Sequence, residues 1–123
     1  MKEFLYVGAG GFIGSALRYG INLLSYRIIS VQIIPYGTLI VNCVGCFFIG
    51  LIMGLLKKNI LLTDNFNLFL ITGLLGGLTT FSTFGNESIK LFLLGDSQLF
   101  FVNIFFNVFF SLFAVWLGYF IFR

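Results

Sequence analysis

The chain lacks the residues on which most catalytic and metal sites depend. It contains no histidine, two cysteines, one proline and one tryptophan. The absence of histidine removes the commonest general base and a frequent zinc ligand. Only four residues are acidic, and they lie far apart in the sequence, so they do not form a paired carboxylate set. We therefore expect no enzymatic activity.

Charge of either sign is also scarce, and this excludes a soluble domain. Charged residues make up 9% of the 123 residues and hydrophobic residues 59%, whereas about a quarter of the residues in a soluble domain are charged. No run of basic residues suits nucleic acid. The first apolar segment carries Arg18 and has no small-x-small cleavage site, so we interpret it as retained rather than as a signal peptide. The composition predicts an integral membrane protein.

Four apolar segments are long enough to span a bilayer, which takes about 20 residues. They cover approximately 4–26, 33–56, 66–94 and 98–122, and they leave no room for a soluble domain. Thr63-Asp64-Asn65 predicts a helix N-cap before the third span, and Gly95-Asp96-Ser97 predicts an end and a restart. We expect a single transmembrane domain over 1–123, all-α, with four transmembrane helices.

The basic residues orient this domain only weakly. With four spans, one side of the membrane holds Lys2, Lys57, Lys58 and Arg123, and the other holds Arg27 and Lys90, with Arg18 nearer to it. Such a small difference gives little bias under the positive-inside rule. Insertion in both orientations, and with it an antiparallel homodimer, follows as an expectation. Pairing of two different chains of fixed orientation remains an alternative.

The third span contains the most informative segment, Gly73-Leu-Leu-Gly-Gly-Leu-Thr-Thr-Phe-Ser-Thr-Phe84. Glycine loosens a helix, and hydroxyl side chains offer the backbone other hydrogen bonds. Interrupted backbone at membrane depth is tolerated only where protein buries it or where it lines a cavity. The segment therefore predicts a third helix that is broken near its middle, where something polar crosses or binds.

A broken helix offers two kinds of binding group. Its freed carbonyl oxygens can coordinate Na⁺, and the N-terminus of the restarted helix attracts anions. Phe81 and Phe84 lie three residues apart, and their electropositive ring edges can face an anion. In a chain with 18 phenylalanines, simple packing of the two rings is the alternative.

Three further features of the spans have two interpretations each. Arg18 either reaches toward the membrane interface or draws an anion toward a vestibule. Asn42 shares a helix face with Thr38 and Gly45, and it either joins helices or presents its N–H groups to an anion. A polar stripe on the fourth span suits either a pathway wall or a hydrogen-bonded helix seam; it consists of Asn103, Asn107 and Ser111.

Other residues have a structural interpretation. The spacing of Gly10 and Gly14 permits close helix contact. Cys43 and Cys46 lack the further ligands of an ordinary zinc site, and we interpret them as small packing residues. Glu87 and Lys90, three residues apart, predict an ion pair.

Taken together, the motifs resemble those of the CrcB/Fluc family of fluoride channels. The matching segments are Gly10-Gly-x-x-Gly14 with Arg18-Tyr19, Gly37-Thr38-Leu-x-Val-Asn42-x-x-Gly45, and the segment from Gly73 to Phe84 followed by Glu87. The resemblance extends over all four spans in order, and the third-span segment is its most specific part.

The resemblance implies a fluoride-selective channel for passive export of cytoplasmic fluoride, located in the plasma membrane (the inner membrane of a bacterium). It implies a dual-topology homodimer with a structural Na⁺ at its centre, held by backbone carbonyls that correspond to Gly76 and Thr79. The ion pathway would include Arg18, Asn42, Phe81, Ser82, Thr83, Phe84 and Ser111. Roles for Asn103 and Asn107 do not follow from it.

Two other functions compete with this one. Small multidrug transporters are also four-helix dual-topology dimers, but their proton-coupled members need a carboxylate deep in the membrane, and this chain has none in the middle of a predicted span. A non-conducting assembly subunit, which would stabilise a partner through its glycine faces, predicts no ion flux from the purified chain.

Overall fold

The computed structural model describes residues 1–29, 34–58 and 63–122, and within these ranges the chain is helical and contains no strand. The third predicted span divides into two helices. The first of these, α3, consists of three consecutive segments: Asp64–Asn67, the π-helical Leu68–Leu75, and Gly76–Leu78. The remaining helices are α1 (Lys2–Ile28), α2 (Tyr36–Lys57), α4 (Phe81–Leu93) and α5 (Ser97–Ile121).

The helices coincide with the predicted spans to within a few residues at most ends. In the described ranges, three stretches are long and apolar enough to cross a membrane: Tyr36–Lys57, Asp64–Leu93 and Ser97–Ile121. Helix α1 has 27 residues, but Arg18 and several glycines dilute its apolar content. The start of the second predicted span at residue 33, and Arg123 from the charge comparison, lie outside the described residues.

Two predicted helix boundaries are confirmed. The Thr63 side chain accepts a hydrogen bond from the Phe66 N–H at 3.4 Å and so caps α3. Gly95, between α4 and α5, has φ +85°, a left-handed conformation that glycine adopts without steric cost.

Helices α1 and α3 run parallel and approach closely through glycine. A Cβ built on Gly10 would overlap the carbonyl oxygen of Phe69, and one built on Gly14 would overlap that of Leu74. Since lipid chains are as apolar as the helices, close packing of this kind is a main source of helix association in a membrane. The predicted close contact of Gly10 and Gly14 is confirmed.

Helices α2 and α5 form a second parallel pair of the same kind. A Cβ on Gly54 would lie 2.7 Å from the Tyr119 carbonyl oxygen, and one on Gly118 would overlap the carbonyl oxygen of Phe47. The first and third spans of an alternating four-span chain must be parallel, and so must the second and fourth. The two glycine-mediated pairs thus fit the predicted topology.

A small apolar core lies where the two pairs meet. It is formed by Val41, Ile52, Leu75 and Leu78, whose side chains are buried. Most other large apolar side chains face outward, including the stacked rings of Phe105, Phe109 and Phe113 along α5. An apolar exterior around a small core is the arrangement expected of a protein surrounded by lipid.

Replacement of Gly118 tests the α2–α5 contact. We expect Gly118→Ala to lower the free energy of unfolding by about 1–3 kcal/mol, because the added methyl group forces the α2 backbone away. The measurement is a denaturant titration in detergent micelles followed by far-ultraviolet circular dichroism.

Gly8→Ala is the matched control, since a Cβ at Gly8 meets nothing within 4 Å. Alanine also favours helix over glycine, so this variant should be as stable as the original chain or more so. Equal stability of the Gly118 and Gly8 variants would contradict the close α2–α5 contact.

Candidate functional site

The third span is broken at two threonines. Thr79 has φ −78° and ψ 155°, and Thr80 has φ −152° and ψ 117°, so both are extended where a helix would need negative ψ. The predicted break is confirmed and lies inside the predicted segment. The three glycines Gly73, Gly76 and Gly77 are nevertheless helical, and the break falls on the hydroxyl residues that follow them.

The side chain of Asn42, on α2, binds the backbone at this break. Its Oδ1 accepts a hydrogen bond from the Thr80 N–H at 2.8 Å, and its Nδ2 donates to the Thr80 carbonyl oxygen at 3.3 Å. In a regular α-helix the Thr80 N–H would donate to the carbonyl oxygen of Gly76, four residues earlier. Because Asn42 takes this donor, the Gly76 carbonyl loses its regular helical partner.

The Thr80 side chain starts the next helix. Its Oγ1 accepts a hydrogen bond from the Thr83 N–H at 3.2 Å, which is the usual N-cap interaction. The same hydroxyl lies 3.0 Å from the Thr83 Oγ1 and 3.3 Å from the Ser82 Oγ. Asn42 thus ends one helix and Thr80 begins the other.

A chain of side-chain hydrogen bonds extends from Asn42 across α5 to α4. The Asn42 Nδ2 donates to Asn107 Oδ1 at 3.2 Å, Asn107 Nδ2 donates to Asn103 Oδ1 at 3.0 Å, and Asn103 Nδ2 donates to Ser88 Oγ at 3.0 Å. Ser88 in turn donates to the Phe84 carbonyl oxygen at 2.8 Å. We call these residues the amide relay. All of its bonds run in one direction, which fixes the orientation of every amide in it.

The relay resolves one of the alternatives left by the sequence. Asn103 and Asn107 are 0% and 3% exposed, and buried amides must be hydrogen-bonded to be tolerated. These two residues therefore form a hydrogen-bonded seam, and Asn107 also lines the cavity described below. Both N–H groups of the Asn42 amide are also used, one by Thr80 and one by Asn107.

A cavity of about 310 Å³ lies between α2, the break and α5. Of the predicted pathway residues, Asn42, Phe81, Phe84 and Ser111 line it, and Arg18, Ser82 and Thr83 do not. The other lining residues are Cys46, Ile49, Thr79, Thr80, Asn107, Val108 and Leu112. The cavity is thus mostly apolar, with a few hydroxyl and amide groups near the break.

The two phenylalanines form an edge-to-face pair at the start of α4. Their ring centroids are 5.3 Å apart and their planes are inclined by 62°. Phe84 is 7% exposed and forms part of the cavity wall, whereas Phe81 is 81% exposed and projects from the chain beside the break.

Arg18 places a positive charge at the break. Its Nη1 donates a hydrogen bond to the Thr79 carbonyl oxygen at 3.3 Å. The side chain thus crosses from α1 to the interrupted backbone. Interaction with an anion here stays a prediction, as do the pathway roles of Ser82 and Thr83.

The main chain at the break has oxygen atoms suited to a hard cation. The carbonyl of Gly76 lacks its helical donor, and the carbonyl of Thr79 accepts one long hydrogen bond from Arg18. In the described part of the chain, no group of three or more His, Cys, Asp or Glu side chains could hold a metal ion. The backbone oxygens at the break are candidate ligands, and oxygen donors of this kind fit Na⁺.

Glu87 has a different partner from the one predicted. Its Oε1 accepts a hydrogen bond from the buried Thr38 hydroxyl at 2.8 Å, and its Oε2 is buried without a partner. Among the described residues, the N-terminal amine and Glu3 form the only salt bridge, so the predicted Glu87–Lys90 pair makes no direct contact. Helix α4 turns Glu87 toward α2, while Lys90 is exposed. The shared face of Thr38 and Asn42 was the available sequence signal for this contact.

Comparisons with known proteins agree on one family. The family model for CrcB-like protein, Camphor Resistance (CrcB), matches residues 5–119. A relative from Azobacteroides pseudotrichonymphae is 43% identical over 97% of this chain and 94% of its own length. Relatives from Flavobacterium psychrophilum (41%, over 96% and 94%) and Clostridium perfringens strain 13 (44%, over 93% and 88%) are similar. All three are named fluoride-specific ion channel FluC.

Replacement of Asn107 tests the amide relay. Asn107→Leu keeps the side-chain size but removes the acceptor for Asn42 and the donor for Asn103. Since each buried polar group left unpaired costs about 1–3 kcal/mol, we expect a loss of at least about 2 kcal/mol in the free energy of unfolding. Asn86→Leu, at an exposed position of α4, is the matched control. If the two variants had the same free energy of unfolding, the relay would not contribute to the stability of the protein.

Proposed function

The chain belongs to the CrcB-like family, and we propose that it forms a fluoride-selective channel for passive export of fluoride from the cytoplasm. It is a multi-pass membrane protein. The observation that carries the proposal is the broken third span, with a cavity beside its restarted helix, in a chain 43% identical to a fluoride-specific channel over nearly its whole length. The names of the relatives favour neither a drug transporter nor an assembly subunit.

The energetics of fluoride favour a passive channel. Hydrogen fluoride crosses membranes as a neutral weak acid and ionises in the less acidic cytosol, where the anion is trapped. An inside-negative potential then favours its exit by about 2.3 kcal/mol per 100 mV. A selective path through the membrane is sufficient, and the relatives belong to a class of proteins that performs no catalysis.

The cavity offers fluoride weak partners in place of water. The ring edges of Phe81 and Phe84 carry partial positive charge, and Ser111 supplies a hydroxyl group in the same wall. Arg18 adds a full positive charge at the break. Several weak sites of this kind allow an anion to enter without trapping it. Chloride, which is larger, would be rejected by size.

An antiparallel homodimer would complete this site. The exposed ring of Phe81 and the exposed Gly76 lie at the break, at the surface of the single chain. A second copy in the opposite orientation would cover them and bring its own Phe81 to the same region. The weak charge bias of the loops supports insertion in both orientations.

A structural sodium ion fits the centre of such a dimer. Each chain would supply the carbonyl oxygens of Gly76 and Thr79, so two chains would supply four oxygen ligands. A bound cation neutralises the partial negative charge that these oxygens would otherwise bring together. Asn42 holds the Gly76 oxygen available by occupying its helical donor.

Phenylalanine replacement tests the pathway. Phe81→Ile and Phe84→Ile retain apolar volume but remove the polarised ring edge. If each ring contributes about 1 kcal/mol to the passage of the ion, fluoride efflux slows about fivefold. A fluoride electrode measures efflux from proteoliposomes, with chloride efflux measured alongside.

Phe109→Ile, on the outward face of α5 where Phe109 is 49% exposed, is the matched control and should conduct like the original chain. Size-exclusion profiles confirm that each variant is folded. Unchanged efflux from both pathway variants would exclude a path along these rings, and equal fluoride and chloride efflux would exclude a selective channel.

Sodium removal tests the proposed cation site. We expect exchange of Na⁺ for N-methylglucamine at constant ionic strength to shift the protein from dimer to monomer, because the carbonyl oxygens then repel each other. The dimer fraction is measured by size-exclusion chromatography with light scattering, with K⁺ as the control cation. A dimer that survives exhaustive exchange would rule out a structural role for sodium.

A further inference from the structure

The proposed function assigns no role to the two cysteines of α2. Cys43 and Cys46 are free thiols of intermediate exposure. They are three residues apart on one helix, a spacing that brings side chains within about 5–6 Å of each other on the same face. They are therefore neighbours without being linked.

One of the two thiols, Cys46, reaches the cavity beside the break, and Cys43 lies about one helical turn away on α2. Cys46 and Ser111 line this cavity of about 310 Å³, together with Asn42, Phe81 and Phe84. A group bound by the two thiols would therefore lie beside residues of the proposed ion path.

The chemistry of two thiols limits what such a site could bind. Thiol sulfur is a soft ligand, and it selects soft metal ions over the hard cations that prefer oxygen. Tetrahedral zinc needs four ligands, whereas in the described ranges no cluster of three or more metal-binding side chains occurs. Soft d¹⁰ ions that are satisfied by two ligands in a line, such as Cu⁺, Ag⁺ and Hg²⁺, fit this donor set.

We propose that Cys43 and Cys46 form a two-thiol site for a soft two-coordinate metal ion, and that its occupation obstructs the ion path in the adjoining cavity. With mercuric chloride as the probe, two sulfur–mercury bonds form, two chloride ions leave, and the two thiol protons pass to water. No oxidation or reduction takes place. The obstruction of the ion path rests on the proposed channel function, whereas the metal site itself does not.

The experiment measures mercury stoichiometry and flux separately. Intact-mass spectrometry of the purified protein should show one mercury per chain in place of two hydrogens, with no retained chloride. Cys43→Ala and Cys46→Ala should each hold mercury about 100-fold or more weakly against a competing monothiol, because the second, linked ligand is lost. The double alanine variant should bind none.

Fluoride efflux from proteoliposomes, expressed for each variant relative to its own mercury-free rate, tests the obstruction. We expect inhibition of the original chain, reversal by a dithiol, and no inhibition of the double alanine variant. Two mercury atoms per chain with retained chloride, or one mercury joining two chains, would overturn the site. Full mercury binding without loss of fluoride efflux would overturn the proposed obstruction.

A chain that conducts no fluoride before mercury is added would instead refute the proposed function. The mercury stoichiometry would still decide whether the two-thiol site exists.

Discussion

The rest of the structure depends on the two hydrogen bonds between the side-chain amide of Asn42 and the backbone of Thr80. Asn42 accepts from the N–H of Thr80 and donates to its carbonyl oxygen, so it replaces the helical acceptor that this N–H would otherwise have at membrane depth. Water is not available there to do the same, and unpaired backbone groups cost several kcal/mol. This amide therefore stabilises the interruption of the third span.

The same amide also determines the character of the site. Both N–H groups of Asn42 are hydrogen-bonded, and Asn107 and Asn103 are held in the relay. The strongest neutral donors of the region therefore already have partners within the protein. The groups bordering the cavity that are not held in these bonds are weaker: ring edges and hydroxyls, with the charge of Arg18 nearby. Rigid amides and weakly interacting walls suit rapid passage of an ion better than tight binding.

Much of this could be predicted from the sequence, since apolar length fixes the spans and hydroxyl residues inside an apolar segment indicate a break. The π-helical Leu68–Leu75 could not, because nothing in this composition distinguishes a π-helical run from an α-helical one. The shared face of Thr38 and Asn42 indicated that Thr38 meets another helix, but not that Glu87 is its partner, since pairing between distant spans depends on their register. The glycines near the break were expected to interrupt the helix. They remain helical, and the absence of a side chain at Gly73 and Gly77 lets the backbone of α1 pack directly against them.

The parallel pairing of the helices has a consequence for biosynthesis. Each close-packed pair joins spans that are not consecutive. Helix α1 therefore has no close-packed partner until α3 has been inserted, and α2 has none until α5 has been inserted. Asn42 enters the membrane with α2, but its partner Asn107 arrives only when α5 has been synthesised. Until then one N–H of that amide has no relay partner. Maturation of the break is therefore coupled to the synthesis and insertion of α5.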